Sequence, residues 1–178
     1  MTQLKVRKSL TVFVFIVLIG AFSQSLIFSE EPFAPKVDPP KNMTNRDFWV
    51  KMSETWKIPG QSEVGIPAYP GAKIVSFQAA SQMSANGEDY QTLPTMILVA
   101  PDEKTAVTAF YKEQLKDWQY KNSFGMFDVF WTGGDFNSID VTDTATKPNV
   151  IVQDVLETFK EMMPDAKCQI QIAYSPNN

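Results

Sequence analysis

The sequence predicts an α+β fold: a mostly antiparallel sheet, in the order ββαββββ, packed against one main helix. Three stretches predict it. Thr95-Met-Ile-Leu-Val-Ala100 is an apolar run behind a β-branched residue, the composition of a buried strand. After Pro101, Ala106, Val107, Phe110, Tyr111, Leu115 and Trp118 recur at three- and four-residue steps, with Lys104, Thr108, Lys112, Glu113 and Lys116 on the other side. That spacing predicts an amphipathic helix of about 17 residues, roughly 25 Å long, capped by Asp102 with Glu103 favouring its positive end. Lys167–Tyr174 sets Cys168, Ile170, Ile172 and Tyr174 in alternation with Lys167, Gln169, Gln171 and Ala173, as expected of a strand half covered by that helix.

Residues 1–29 read as a signal peptide or a membrane anchor. Lys5, Arg7 and Lys8 precede Leu10–Phe22, where only Thr11 is polar; Leu26-Ile27-Phe28 adds a second apolar patch before Ser29-Glu30-Glu31. Basic residues before and acidic residues after orient the N-terminus to the cytoplasm and the rest outside. As a signal peptide, the 13-residue run is the apolar core and Ala21-Phe22-Ser23 a small-x-small cleavage site. As an anchor, Leu10–Phe28 offers about 19 residues, enough for a bilayer core of about 30 Å. Cleavage is the preferred reading. The predicted localisation is extracytoplasmic, periplasmic or secreted, with anchoring in the inner membrane through Leu10–Phe28 as the alternative. No cysteine follows the apolar run, so lipid attachment of the lipoprotein type is not supported.

Residues 30–43 carry prolines at 32, 35, 39 and 40 and read as a proline-rich linker that prefers extended polyproline II. Residues 44–60 read as a short amphipathic helix. Thr44 and Asp47 make a weak capping box, and Phe48, Trp49, Met52 and Trp56 form its apolar stripe, closed by Ile58-Pro59-Gly60. That stripe is expected to pack on the body. The alternative is a partner-binding helix anchored by Trp49 and Trp56, since tryptophans dominate interface hot spots.

Residues 61–178 form the predicted α+β domain. Pro70-Gly71 suits a type II turn opening the strand Lys73–Gln78. Ser81–Gln91, with Asn86-Gly87, is a polar hairpin-type connection, and Pro94 places the start of the next strand at an edge or a bulge. Phe124–Trp131 and Phe136–Thr142 are expected to form a hairpin across Thr132-Gly-Gly-Asp135. A loop over 143–149, a strand Val150–Val155, a short helix near Leu156–Met163 and the strand at Lys167–Tyr174 complete the chain.

Tyr69-Pro-Gly-Ala72 opening a strand, then a second strand, then a helix with Phe110-Tyr111-Lys112, Leu115 and Trp118 resembles small domains of exported bacterial proteins of unknown function. Met163-Pro-Asp-Ala-Lys167 followed by Ile170, Ile172 and Tyr174 is similar to that group's closing loop and strand. The resemblance covers about Ile66 to Tyr174. Its motifs are structural, so it implies a fold and export but no activity and no site residues.

Composition removes several chemistries. The chain has no histidine, hence neither the commonest general base nor the commonest metal ligand. Its one cysteine, Cys168, excludes an internal disulfide and reads as a packing residue, because nothing beside it would activate a thiol. Without Lys5, Arg7 and Lys8, 13 basic residues stand against 20 acidic ones, a net of −7, which argues against nucleic acid as a partner. Gly133-Gly134-Asp135 with Asn137, Asp140 and Asp143 invites calcium, but the spacing departs from the EF-hand and a solvated hairpin is preferred. Asp128 lies between aromatic residues in a strand, and a solvent-facing role is preferred over a perturbed catalytic carboxylate. No cofactor is implied. The expectation is a non-enzymatic accessory or binding module at the cell envelope, its partner an unknown protein or small ligand. Its candidate interaction surface is an exposed sheet face around Phe127, Val129 and Trp131, or the Trp49/Trp56 helix. The alternatives are a membrane-anchored subunit of an envelope complex and, less favoured, a histidine-free hydrolase.

Overall fold

Proline spacing decides how the body begins. The computed structural model describes residues 31–133 and 141–176, so the apolar segment predicted over 1–29 lies outside the described residues. Residues 32–37 are not a linker: they run as an arm along the sheet, with Phe33, Ala34 and Val37 buried. Phe33 N–H donates to Pro59 O at 2.8 Å, Pro35 O accepts from Ile74 N at 2.8 Å, and Val37 N–H donates to Ile74 O at 2.9 Å. An edge segment pairs through alternate residues only, so Pro32 and Pro35 sit where no N–H is needed.

Helix α1 (Arg46–Glu54) follows and buries none of its residues completely. The Lys36 ammonium ties it to the arm by donating to Ser53 O and lies 5.8 Å from the Trp56 ring centroid. A one-turn helix α2 (Gln61–Val64) ends at Gly65, φ +68°, and brings Val64 and Ile66 into the core.

Strand β1 (Lys73–Gln78) opens from the expected turn. Ala72 N–H donates to Tyr69 O at 3.1 Å and Gly71 has φ +78°, the conformation that position i+2 of a type II turn requires. β2 (Gln82–Ala85) and β3 (Glu88–Gln91) form a separate two-stranded ribbon across Asn86-Gly87. β4 (Thr95–Ala100) is an interior strand, paired on both sides, so Pro94 marks neither an edge nor a bulge of β4. It stands one residue before the ladder and gives it only a carbonyl, which accepts from Tyr174 N at 3.2 Å. The register slip falls in β1 instead, between Ile74 and Ser76.

Helix α3 (Lys104–Gln114) spans 11 residues, shorter than the predicted 17. Glu103 takes the N-cap position, and Asp102 accepts a hydrogen bond from Tyr69 Oη at 2.9 Å instead of capping. Leu115 leaves helical geometry and lets the chain turn early into β5 (Gln119–Ser123), which pairs with β6 (Phe127–Trp131). The hairpin therefore turns at Phe124-Gly125, one strand earlier than the predicted turn at Thr132–Asp135. Residues 136–140 of the predicted strand Phe136–Thr142 lie outside the described residues, and Val141 and Thr142 belong to helix α4 (Val141–Thr146). β7 (Asn149–Asp154), α5 (Glu157–Met162) and β8 (Cys168–Ala173) follow close to expectation.

The α+β class holds. Six strands pair antiparallel in the order β1-β4-β8-β7-β6-β5. Val107, Tyr111 and Leu115 of the α3 segment pack on Met96, Leu98, Phe130, Val150, Ile170 and Ile172 to make the main core. A smaller core lies on the other face, where Phe159, Met162, Met163 and Val37 close over Val75 and Val99. β8 is thus covered on both faces at one end, and Gln169, predicted on a polar face, is buried.

Candidate functional site

The strongest concentration of polar chemistry lies where α3 crosses the β5–β6 hairpin. Asp128 projects from β6 toward α3 and is only 4 % exposed. Strand alternation puts it on the same face as Phe130, and the antiparallel register sets it directly opposite Asn122. One carboxylate oxygen accepts from Tyr120 Oη at 2.6 Å and Asn122 Nδ2 at 2.9 Å; the other accepts from Thr108 Oγ1 at 3.0 Å. Thr108 reaches it because the buried stripe of α3 runs through Val107, Thr108 and Tyr111, so Thr108 is not on the solvent side as the spacing predicted.

Burial alone would raise the Asp128 pKa. The hydrogen bonds from Tyr120, Asn122 and Thr108, with the positive charge of Lys104, outweigh it and hold the carboxyl below its usual range. Tyr120 is pushed up to about 12 by desolvation, by its hydrogen bond to Asp128 and by that negative charge. The pair is therefore an ionised acceptor facing a phenol that stays protonated at neutral pH. A shallow cleft of about 320 Å³ opens at this cluster, lined by Lys104, Thr108, Lys112, Tyr120, Asn122 and Asp128 itself. Lys112 Nζ lies 3.8 Å from the Tyr120 ring centroid, a cation–π contact. Lys104 Nζ donates to Gly125 O at 2.7 Å and Met126 O at 3.3 Å. Every one of these contacts ties one element to another. Asp128 has a weakened basicity, and three donors already occupy most of its acceptor positions.

The residues singled out from the sequence scatter. Trp131 is 1 % exposed and Val129 8 %, so they do not form an open surface; Phe127 is half-buried. Alternation placed the three on one sheet face, but whether that face is covered depends on tertiary packing. Trp49 packs against the smaller core and Trp56 against the main one, both half-buried. Trp49 lies on α1 and Trp56 two residues beyond its end, since α1 is shorter than the predicted helix over 44–60; the large apolar side chain that α1 leaves open is Phe48, 62 % exposed. Cys168 is buried, its thiol pushed up to about 12 by burial and the Asp154 charge. Among the described residues no group of three or more Cys, Asp or Glu side chains gathers as metal ligands would, and Asp135, Asn137 and Asp140 of the calcium candidate lie outside them.

Tyr120, Asn122, Thr108, Lys104 and Lys112 were not visible as a site. The one available signal was the alternation of Tyr120 and Asn122 with Gln119 and Lys121 just before Phe124-Gly125, a five-residue strand reading into a turn. No family model, no curated protein and no solved structure matches this chain.

Proposed function

We propose that the protein is a non-enzymatic accessory or binding module working outside the cytoplasm at the cell envelope. One observation carries the non-enzymatic reading. Asp128, the carboxylate most suited by position to catalysis, is held ionised by Thr108, Tyr120 and Asn122 and joins α3 to the β5–β6 hairpin. A general base needs a free lone pair facing substrate and a pKa near the working pH; Asp128 lines the cleft, but three donors take most of its lone pairs and its pKa is held below the usual carboxylate range. Export is supported by the basic, apolar and then acidic order of residues 5–31. The net negative charge of the body disfavours a nucleic acid, whose binding depends on neutralising phosphates.

A second reading, a membrane-anchored subunit of an envelope complex, is favoured by the fate of the proline-rich segment. Because residues 32–37 are folded into the body, only Ser29–Glu31 separate it from the apolar run Leu10–Phe28.

N-terminal sequencing with fractionation of the native protein tests both. A chain starting near Gln24 or Glu30 in the soluble extracytoplasmic fraction supports the free module. An intact Met1–Phe28 in the membrane fraction supports the anchored subunit, and an intact chain in the cytosol overturns export. A hydrolytic activity lost in a folded Asp128→Asn variant overturns the non-enzymatic reading.

A further inference from the structure

The β5–β6 turn carries a phenylalanine where a folded domain has two reasons not to place one. Phe124 is 91 % exposed, so it gains no burial, and its φ of +54° is strained for a bulky residue. Another tight hairpin of this fold uses Asn86-Gly87 at the same kind of position, the pairing that stereochemistry favours. Met126, beside Phe124, is 55 % exposed, so the tip presents two adjacent apolar side chains.

Four backbone groups of this tip, those of Gly125 and Met126, find partners inside the protein. Gly125 N–H donates to Asn122 Oδ1 at 2.8 Å, and Met126 N–H donates to Ser123 O at 3.0 Å. The carbonyls of Gly125 and Met126 both accept from the Lys104 ammonium. Lys104 is the first residue of α3, a poor place for a cation against the helix dipole, and these carbonyls account for it. A turn facing water needs no such arrangement, because water satisfies it. A turn lying at the lipid interface gains from it, since acyl chains offer no donors or acceptors and water is scarcer there. A protein partner could supply its own hydrogen bonds; a bilayer cannot.

The sheet register places the tip at the end where the chain enters. One continuous row runs Ser123, Phe127, Gln153, Gln169, Val99 and Lys73 across all six strands. The Phe124 turn and the exposed Leu156 lie just beyond that row. The arm beginning at Pro32 runs parallel to β1 and so starts at this same end, beyond the other edge, roughly 29 Å from β5 across six strand spacings. Pro32 is four residues after Phe28, a chain reach on the order of 15 Å.

We propose that the Phe124–Met126 tip inserts into the lipid interface of the membrane, a second point of attachment for the body. The proposal rests on the membrane-anchored reading of residues 10–28. Phe124 and Met126 enter the boundary between headgroups and acyl chains, and Lys104 stays at phosphate depth with its apolar stem beneath it.

The test uses the full chain with Phe124→Cys or, for comparison, Asn86→Cys, each labelled with an environment-sensitive fluorophore. Buried Cys168 leaves the introduced thiol as the reactive one. The protein is reconstituted into phosphatidylethanolamine–phosphatidylglycerol vesicles and floated. The expected result is flotation, with the label at 124 quenched by nitroxide-bearing lipid and several-fold less by aqueous iodide than the label at 86. Intrinsic fluorescence of a Phe124→Trp variant, unlabelled, should shift to the blue on reconstitution, while Asn86→Trp should not. A chain that floats but whose position 124 is as open to iodide as position 86 overturns the lipid assignment alone and leaves the tip to a protein partner. A chain that does not float overturns the anchored reading and the tip proposal together.

Discussion

Replacing Asp128 by alanine removes the acceptor of three side-chain hydrogen bonds from a buried position. Hydrogen bonds to a charged group contribute about 1.5–3 kcal/mol each, and a buried donor left without a partner costs about 1–3 kcal/mol. Thr108 is the buried donor; Tyr120 and Asn122 are exposed enough to turn to water and recover most of their loss. Counting one full charged bond and a fraction of the other two, the expected loss is about 3 kcal/mol. For a body of roughly 150 residues that lowers the unfolding midpoint by about 6–12 °C. Asp128→Asn keeps the shape and one acceptor oxygen but sets an amide donor against a donor, for a loss of about 1–2 kcal/mol. The acid side separates charge from shape. A carboxylate whose folded pKa is depressed adds stability that is complete above its unfolded value, near 3.9, and is lost as pH falls through the folded value. The gap between wild type and Asp128→Asn should therefore be full at neutral pH and shrink below about pH 4. Thermal unfolding followed by circular dichroism over that range reads both effects. An Asp128→Ala midpoint within about 1 °C of wild type, or a gap to Asp128→Asn unchanged at low pH, would refute the clamp.

Four further outcomes are expected. Phe124→Asn, which suits a positive φ, should raise stability by about 0.5–1 kcal/mol in denaturant titrations, the opposite of what a packing role for Phe124 predicts. Phe33→Ala should cost about 3–5 kcal/mol if the proline-rich arm belongs to the folded body; a change near zero would return it to linker status. Cys168, with its thiol pushed up to about 12, should resist alkylation in the native protein and react once denaturant is added, as mass spectrometry would show. The Trp49→Ala, Trp56→Ala double variant should melt well below wild type, because each ring packs on a different core; an unchanged midpoint would make α1 a free docking helix.

Local pattern carried a good part of this architecture. The apolar run Thr95–Ala100, the turn at Pro70-Gly71 and the alternation over Cys168–Tyr174 each depend on neighbours in sequence, and each element stands where its periodicity put it. The α+β class and the antiparallel sheet follow from those elements. Three features depended on partners far along the chain. The proline-rich stretch looks unable to fold because prolines lack amide donors, yet beside β1 only alternate residues pair, and Phe33, Ala34 and Val37 find a core waiting. The hairpin turns at Phe124-Gly125, with a phenylalanine in the position where asparagine would announce a turn. The carboxylate clamp joins residues 108, 120, 122 and 128 through a helix crossing and a strand register, neither of which any stretch of sequence encodes alone. Composition by itself determined that this sequence holds no histidine and cannot form an internal disulfide, because those depend on residue types alone. Which carboxylate is buried, which tryptophans pack inward and which phenylalanine stands in the open were decided only by tertiary structure, since burial is a property of what the rest of the chain brings alongside.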